Sequence, residues 1–136
     1  MTSSTTRVKS VSMTFRGFDI QAEDVVALVG VAASRSGNRG EPVKSGVKTL
    51  LSRSYVKFSR GFASDQELSD MLPALFAHLG GTDRIKGVLD VVRPEFVEIH
   101  FDLPVRQSED SQDGYLQERS VWEASQLKAS ISFSFF

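Results

Sequence analysis

One short stretch of the chain carries side chains that can bind a metal ion. Glu98, His100 and Asp102 occupy every second position of residues 97–103, and apolar residues fill the positions between them. Side chains two residues apart project from the same face of a β-strand, so these three share a face. Two carboxylates and an imidazole are suitable metal ligands. The same pattern is typical of the solvated face of an amphipathic strand, where such side chains stand about 7 Å apart, and we favour that interpretation.

A second group of residues is basic and could hold an anion. Residues 1–60 contain ten Lys or Arg and four Asp or Glu, whereas residues 61–136 contain six and thirteen. Arg and Lys on a glycine-rich backbone suit phosphate oxygens, so the basic loop 35–60 predicts a site for an anion or a phosphate-bearing ligand. Two other interpretations stay open. The charges could attract a partner protein, or the two halves could neutralise each other across neighbouring strands.

Two aromatic residues could complete a ligand site in this region. Small-molecule pockets combine apolar walls with a few convergent polar groups. The candidate ligand-binding residues are therefore Arg35, Arg39, Arg53, Tyr55 and Trp122. A Trp on a short helix is more often part of the core, and we favour that position for Trp122.

The sequence lacks the patterns of several enzyme classes. It has no Cys, only two His and no Gly-x-Ser-x-Gly motif, which argues against nucleophilic catalysis. The glycine-rich residues 36–40 have neither the Walker ending nor the strand-to-helix setting of a dinucleotide site. We therefore lean towards a protein that is not an enzyme, and we predict no catalytic residue and no cofactor.

Length and composition indicate one globular domain. The 136 residues are 40% hydrophobic with a formal net charge of -1, which fits a domain of ordinary size. We predict a disordered tail at residues 1–6 and a single domain at residues 7–136. No apolar run approaches the about 18 residues of a membrane span, and no secretory pattern follows the first basic residues. The expected location is the cytoplasm, with no membrane partner, and nucleic acid is not an expected partner either.

Periodic apolar residues predict the elements of that domain. Alternation predicts four strands, near residues 11–16, 53–59, 97–103 and 130–136. The last is so apolar that we expect it to be central or covered. Helical spacing predicts a helix over residues 21–29, which Gly30 ends.

Further helices are expected after residues that could cap them. Capping boxes at residues 64–67 and 120–123 predict two helix starts, and Thr82 predicts a third. Each predicted strand has one apolar face. The fold class is therefore α+β, with a mainly antiparallel sheet of about four strands and helices packed on one face, loosely ferredoxin-like.

Several short motifs follow one another in a set order along the chain. They are residues 15–20, Leu28, Gly30 with Val31, Arg35, residues 40–42, the strand around Tyr55 and the helix within residues 64–79. In this order they resemble the bacterial family called domain of unknown function 4279, over nearly the whole chain. The sequence departs from that family at Tyr55, where Trp is usual, and near Lys128, where Gly is frequent. The resemblance implies a compact α+β fold in bacteria and no established activity.

These features together predict a bacterial, cytoplasmic α+β domain that binds a protein partner. A homodimer built through sheet edges or exposed aromatic side chains is one form of this function. The alternative is a domain that binds a small molecule or anion, such as a phosphate-bearing ligand, through the basic loop 35–60.

Overall fold

The computed structural model describes residues 8–104 and 114–136. The predicted tail at residues 1–6 lies outside this part of the chain. The described elements, in chain order, are β1 (Lys9–Arg16), α1 (Ala22–Val29), β2 (Arg35–Gly37), β3 (Tyr55–Phe62), α2 (Leu68–His78), α3 (Thr82–Val92), β4 (Phe96–Leu103), α4 (Glu118–Gln126) and β5 (Ala129–Phe135). Among the helices of this part, none has the length and apolarity that a membrane span requires.

The five strands form one mixed sheet in the order β2-β3-β1-β4-β5. β1 pairs antiparallel with β3 and with β4, and β2 pairs antiparallel with β3. β4 and β5 are parallel. The connection that contains α4 brings the chain back to the end of the sheet at which β4 begins. The α+β class is confirmed. The expected ferredoxin-like sheet of about four mainly antiparallel strands is only partly correct, since the sheet has a fifth strand and a parallel pair.

The core lies between the sheet and the helices. The apolar positions of β1, β3 and β4 alternate along each strand and join one buried cluster with residues from all four helices. Its largest fully buried side chains include Phe15, Phe58 and Phe101. Their neighbours along the strands project to the opposite face of the sheet, which is where the polar residues lie.

Neither of the two predicted capping boxes caps a helix. The N-cap residue of α2 is Glu67 and that of α4 is Gln117, and neither helix has a side-chain cap hydrogen bond. Both predicted caps are wrong. Ser120, for example, is a buried residue within α4 and does not precede the helix. The predicted end of α1 is confirmed. Gly30 adopts the left-handed conformation, with φ of 85°, and its N–H donates to the carbonyl of Val26.

The last strand lies at an edge of the sheet, contrary to prediction. Within the described residues β5 pairs with β4 and with no other strand. Phe133 and Phe135 are 41% and 62% exposed. The alternation of β5 correctly indicates an apolar face, but it carries no information on whether a helix reaches far enough to cover that face.

Candidate functional site

The face of the sheet opposite the helices is built from polar side chains, and we call it the polar face. Strand register creates it, because polar positions of β1 are paired directly with polar positions of β3 and β4. Its members are Ser10, Ser12, Thr14, Arg16, Tyr55, Lys57, Ser59, Glu98, His100, Asp102, Ser130, Ser132 and Ser134. Ser12 and Thr14 are buried in its middle. The polar face is thus a continuous set of adjoining side chains.

On this face His100 contacts hydroxyl groups of β5. Its Nδ1 lies 2.6 Å from Ser132 Oγ and its Nε2 lies 3.0 Å from Ser134 Oγ. Nε2 also lies 3.5 Å from Asp102 Oδ1. These are the residue types of a catalytic triad, but hydroxyl groups occupy both ring nitrogens, so the ring ties β4 to β5 and does not serve one nucleophile. Sequence analysis missed this contact because only the parallel register brings Ser132 opposite His100.

Of the three residues considered as metal ligands, Glu98 pairs away from the other two, and His100 lies 3.5 Å from Asp102. Glu98 Oε1 accepts a hydrogen bond from Arg16 Nε at 2.9 Å, whereas His100 bonds to the serines of β5. In residues 8–104 and 114–136, no group of three or more His, Asp or Glu side chains is arranged to hold a metal ion. We therefore do not carry the metal hypothesis further.

Ion pairs connect the basic first half of the chain with the acidic second half. Arg16 pairs with Glu98 at 2.9 Å, and Arg53 Nε pairs with Glu95 Oε2 at 2.7 Å. All four side chains are about half exposed, so each pair contributes at most about 1 kcal/mol to stability. Mutual neutralisation thus accounts for part of the charge asymmetry and occupies Arg53.

Two other basic residues stand together on the polar face, and we call them the cationic pair. Arg35 of β2 is paired directly with Lys57 of β3, so the two side chains project from the same face. Among the described residues neither has a carboxylate within ion-pair distance. Ser34 Oγ donates to the carbonyl of Lys57 at 2.9 Å and lies 3.0 Å from Ser59 Oγ. Two hydroxyl groups therefore lie beside the backbone of Lys57.

A cavity of about 290 Å³ adjoins the cationic pair at the end of β2 and β3, and we call it the edge cavity. Its lining includes Gly37, Glu41, Pro42, Val43, Lys44 and Tyr55. Gly37 is paired directly with Tyr55. A Cβ atom at Gly37 would lie 2.6 Å from Leu51 Cδ1 and 3.0 Å from Tyr55 Cε1, so the absence of a side chain there lets both groups close over the strand.

Backbone hydrogen bonds hold the loop that walls the edge cavity. Pro42 and Leu50 form an isolated bridge, and the N–H of Leu51 donates to the carbonyl of Glu41 at 2.8 Å. The side chain of Asn38 ties this loop to α1 by accepting from the N–H of Ala22 at 2.8 Å. The loop between β2 and β3 is therefore fixed by hydrogen bonds within itself and to α1.

The structure brings together part of the predicted ligand site. Arg35 and Tyr55 both lie at the β2 edge of the sheet, and Arg39 follows β2 directly. Arg53 is engaged by Glu95. Trp122 lies on α4, which packs against β5 at the opposite edge.

Two findings therefore correct the predicted site. Trp122 is 57% exposed, so its expected core position is wrong, and it does not line an opening with Tyr55. Lys57 and Gly37 belong with Arg35 and Tyr55, which sequence analysis did not recognise. Only the register of the three-residue strand β2 reveals that grouping.

At the opposite edge of the sheet, β5 exposes apolar side chains next to its unpaired backbone, and we call this strand the β5 edge. The ring of Phe133 stacks on Phe101 with 5.1 Å between centroids and on Phe135 with 6.0 Å. β5 contains no charged residue and no Pro, although charges and Pro are usual means of protecting an exposed edge. Exposed apolar surface is a frequent property of protein interaction sites in general.

Within residues 8–104 and 114–136, these observations define an α+β domain with a polar sheet face opposite the helices and an uncharged edge strand. No family model, curated protein or solved structure matches the chain. The resemblance to the domain of unknown function 4279 family therefore stays a prediction.

Proposed function

We propose that this chain is a protein-interaction module, not an enzyme, and that it binds an extended segment of a partner protein along the β5 edge. The observation that carries the proposal is a seven-residue, uncharged edge strand with two exposed and stacked phenylalanines. The resemblance to the bacterial family supports a bacterial origin for this module.

Strand addition explains what each part of the β5 edge contributes. The unpaired backbone of an edge strand offers hydrogen bonds to a partner strand, and side chains at alternate positions add specificity. Phe133 and Phe135 project from the apolar face of β5. Covering the exposed part of one such ring is worth about 1–2 kcal/mol, so the partner segment should be apolar at alternate positions. β5 has the same pattern, which makes a second copy of the chain one of the possible partners.

Peptide display against the purified chain, followed by hydrogen exchange, tests this proposal without knowledge of the natural partner. Enriched peptides should alternate apolar and polar residues, and adding them should slow the exchange of β5 amides. Sedimentation of the free protein over a range of concentrations measures self-association in parallel. Enriched peptides that leave β5 exchange unchanged, or a monomer that enriches no peptide, would overturn the proposal.

A matched pair of variants locates the binding to the β5 edge. Phe135→Lys places a charge on the edge strand, whereas Trp122→Lys places the same charge on an equally exposed aromatic position of α4. Loss of an aromatic contact typically costs over about 1.4 kcal/mol, so Phe135→Lys should weaken peptide binding by about tenfold. Trp122→Lys should leave it within about twofold. Equal losses in both variants would contradict a β5 site.

A further inference from the structure

Several cations in and beside the first three strands differ in whether they have partners. Arg16 and Arg53 each have a carboxylate within 2.9 Å, and the guanidinium of Arg60 lies 4.8 Å from the ring of Phe62. The cationic pair of Arg35 and Lys57 has no such partner in the described chain. Like charges directly opposite each other destabilise a sheet. An anion bound between them would remove that repulsion.

The edge cavity lies within reach of an anion held there. Gly37 and Tyr55 are the next directly paired residues on the same face after Arg35 and Lys57, which places the two pairs about 7 Å apart along the strands. Phosphate oxygens accept hydrogen bonds from guanidinium and ammonium groups. A ligand with a phosphate at the cationic pair would therefore extend its other end past Tyr55 into the edge cavity.

The lining of the edge cavity limits what the other end can be. Its volume of about 290 Å³ is at the lower limit of small-molecule pockets, which suits a body of about one ring. Pro42, Val43 and Tyr55 supply apolar surface, while Glu41 and Lys44 contribute charges of opposite sign. A compact body without net charge therefore fits these walls.

We infer that the cationic pair and the edge cavity together bind a small phosphate monoester, with the phosphate between Arg35 and Lys57 and an uncharged ring in the edge cavity beside Tyr55, whose own ring faces the guanidinium of Arg16 at 5.5 Å. This site is separate from the β5 edge, because β2 and β5 are at opposite edges of the sheet. The ligand class also distinguishes it from a nucleic-acid surface, which needs a longer row of unpaired cations.

Titration of the ¹⁵N-labelled protein with phenyl phosphate, followed by NMR, tests this inference. Phenyl phosphate should shift the amides of β2, β3 and the loop between them, and should bind about tenfold more tightly than inorganic phosphate or phenol. Equal affinity for phenyl phosphate and inorganic phosphate would overturn the inference in favour of nonspecific anion binding. Tighter binding of a single-stranded oligonucleotide would overturn it in favour of nucleic acid.

Charge-matched variants then identify the phosphate contacts. Arg35→Gln and Lys57→Gln should each weaken phenyl phosphate binding by about tenfold, the usual loss for one charge-assisted hydrogen bond. Lys48→Gln removes the same charge from an exposed position of the same loop and should leave affinity within about twofold. A dispersed NMR spectrum of each variant shows that it folds. If Lys48→Gln weakens binding as much as Lys57→Gln, general charge attraction explains the result and the site is wrong.

Discussion

The two edge strands of the sheet, β2 and β5, differ in length, in charge and in the apolar surface that they expose. β2 is three residues long, begins with an arginine and continues into a loop that folds over its end. β5 is seven residues long, uncharged and exposes two phenylalanines. Short, charged and covered edges resist pairing with other chains, whereas long apolar edges invite it. From these properties of the described strands, we expect strand addition to be disfavoured at β2 and favoured at β5.

The largest effect we expect comes from removing the support of the β5 edge. Phe101 is fully buried and stacks directly on Phe133. Phe101→Ala should lower the free energy of unfolding by about 3–5 kcal/mol, the usual cost of a large cavity. Denaturant unfolding measures this change. Phe135→Ala, on the exposed outer ring, should cost less than about 1 kcal/mol. A similar loss in both variants would contradict the difference in burial between the two rings.

The next effect concerns the hydrogen bonds that hold β5 to β4. His100→Ala removes both contacts to the serines of β5 and should lower the free energy of unfolding by about 1–2 kcal/mol. Hydrogen exchange of the β5 amides should become faster at the same time. His78→Ala serves as the control, because His78 is exposed at the end of α2. Unchanged β5 exchange in His100→Ala would contradict the role assigned to that ring.

At the β2 edge, a smaller effect tests the close approach over Gly37. Gly37→Ala pushes a Cβ atom against Leu51 and Tyr55, so we expect a loss of about 1 kcal/mol on thermal unfolding. Gly61→Ala is the matched control, since a Cβ atom at this strand glycine meets nothing closer than 3.8 Å. Equal melting temperatures for the two variants would contradict the requirement for glycine at position 37.

The smallest effect has the opposite sign. Lys57→Gln removes the repulsion within the cationic pair and should raise stability by about 0.3 kcal/mol at low salt. The gain should vanish near 1 M salt, where the screening length is about 3 Å. Arg53→Gln breaks an ion pair instead and should lower stability slightly under the same conditions. A loss of stability in Lys57→Gln would mean that Lys57 already has a favourable partner.

Sequence periodicity predicted the parts of the fold that depend on local pattern. The alternation of apolar residues located β1, β3, β4 and β5 within a few residues, and Gly30 correctly marked the end of α1. The strand β2 was missed because Arg-Ser-Gly has no apolar alternation. Its pairing with β3 is a tertiary property.

The candidate sites depended on register, which one sequence does not specify. Arg35 and Tyr55 were identified from residue type, but their grouping with Lys57 and Gly37 follows from β2 lying beside β3. The position of Trp122 was wrong because a short helix can turn its aromatic residue outward. The exposure of β5 follows from its place in the sheet order, and the apolar pattern of an edge strand and of a covered strand is the same.

The separation of Trp122 from the edge cavity has an optical consequence. The chain contains one tryptophan, and this residue lies on α4, away from Tyr55. We therefore expect the fluorescence emission of Trp122 to stay unchanged when a ligand binds beside β2. Tyr55→Trp together with Trp122→Phe would instead place the indole fluorophore in the wall of the edge cavity.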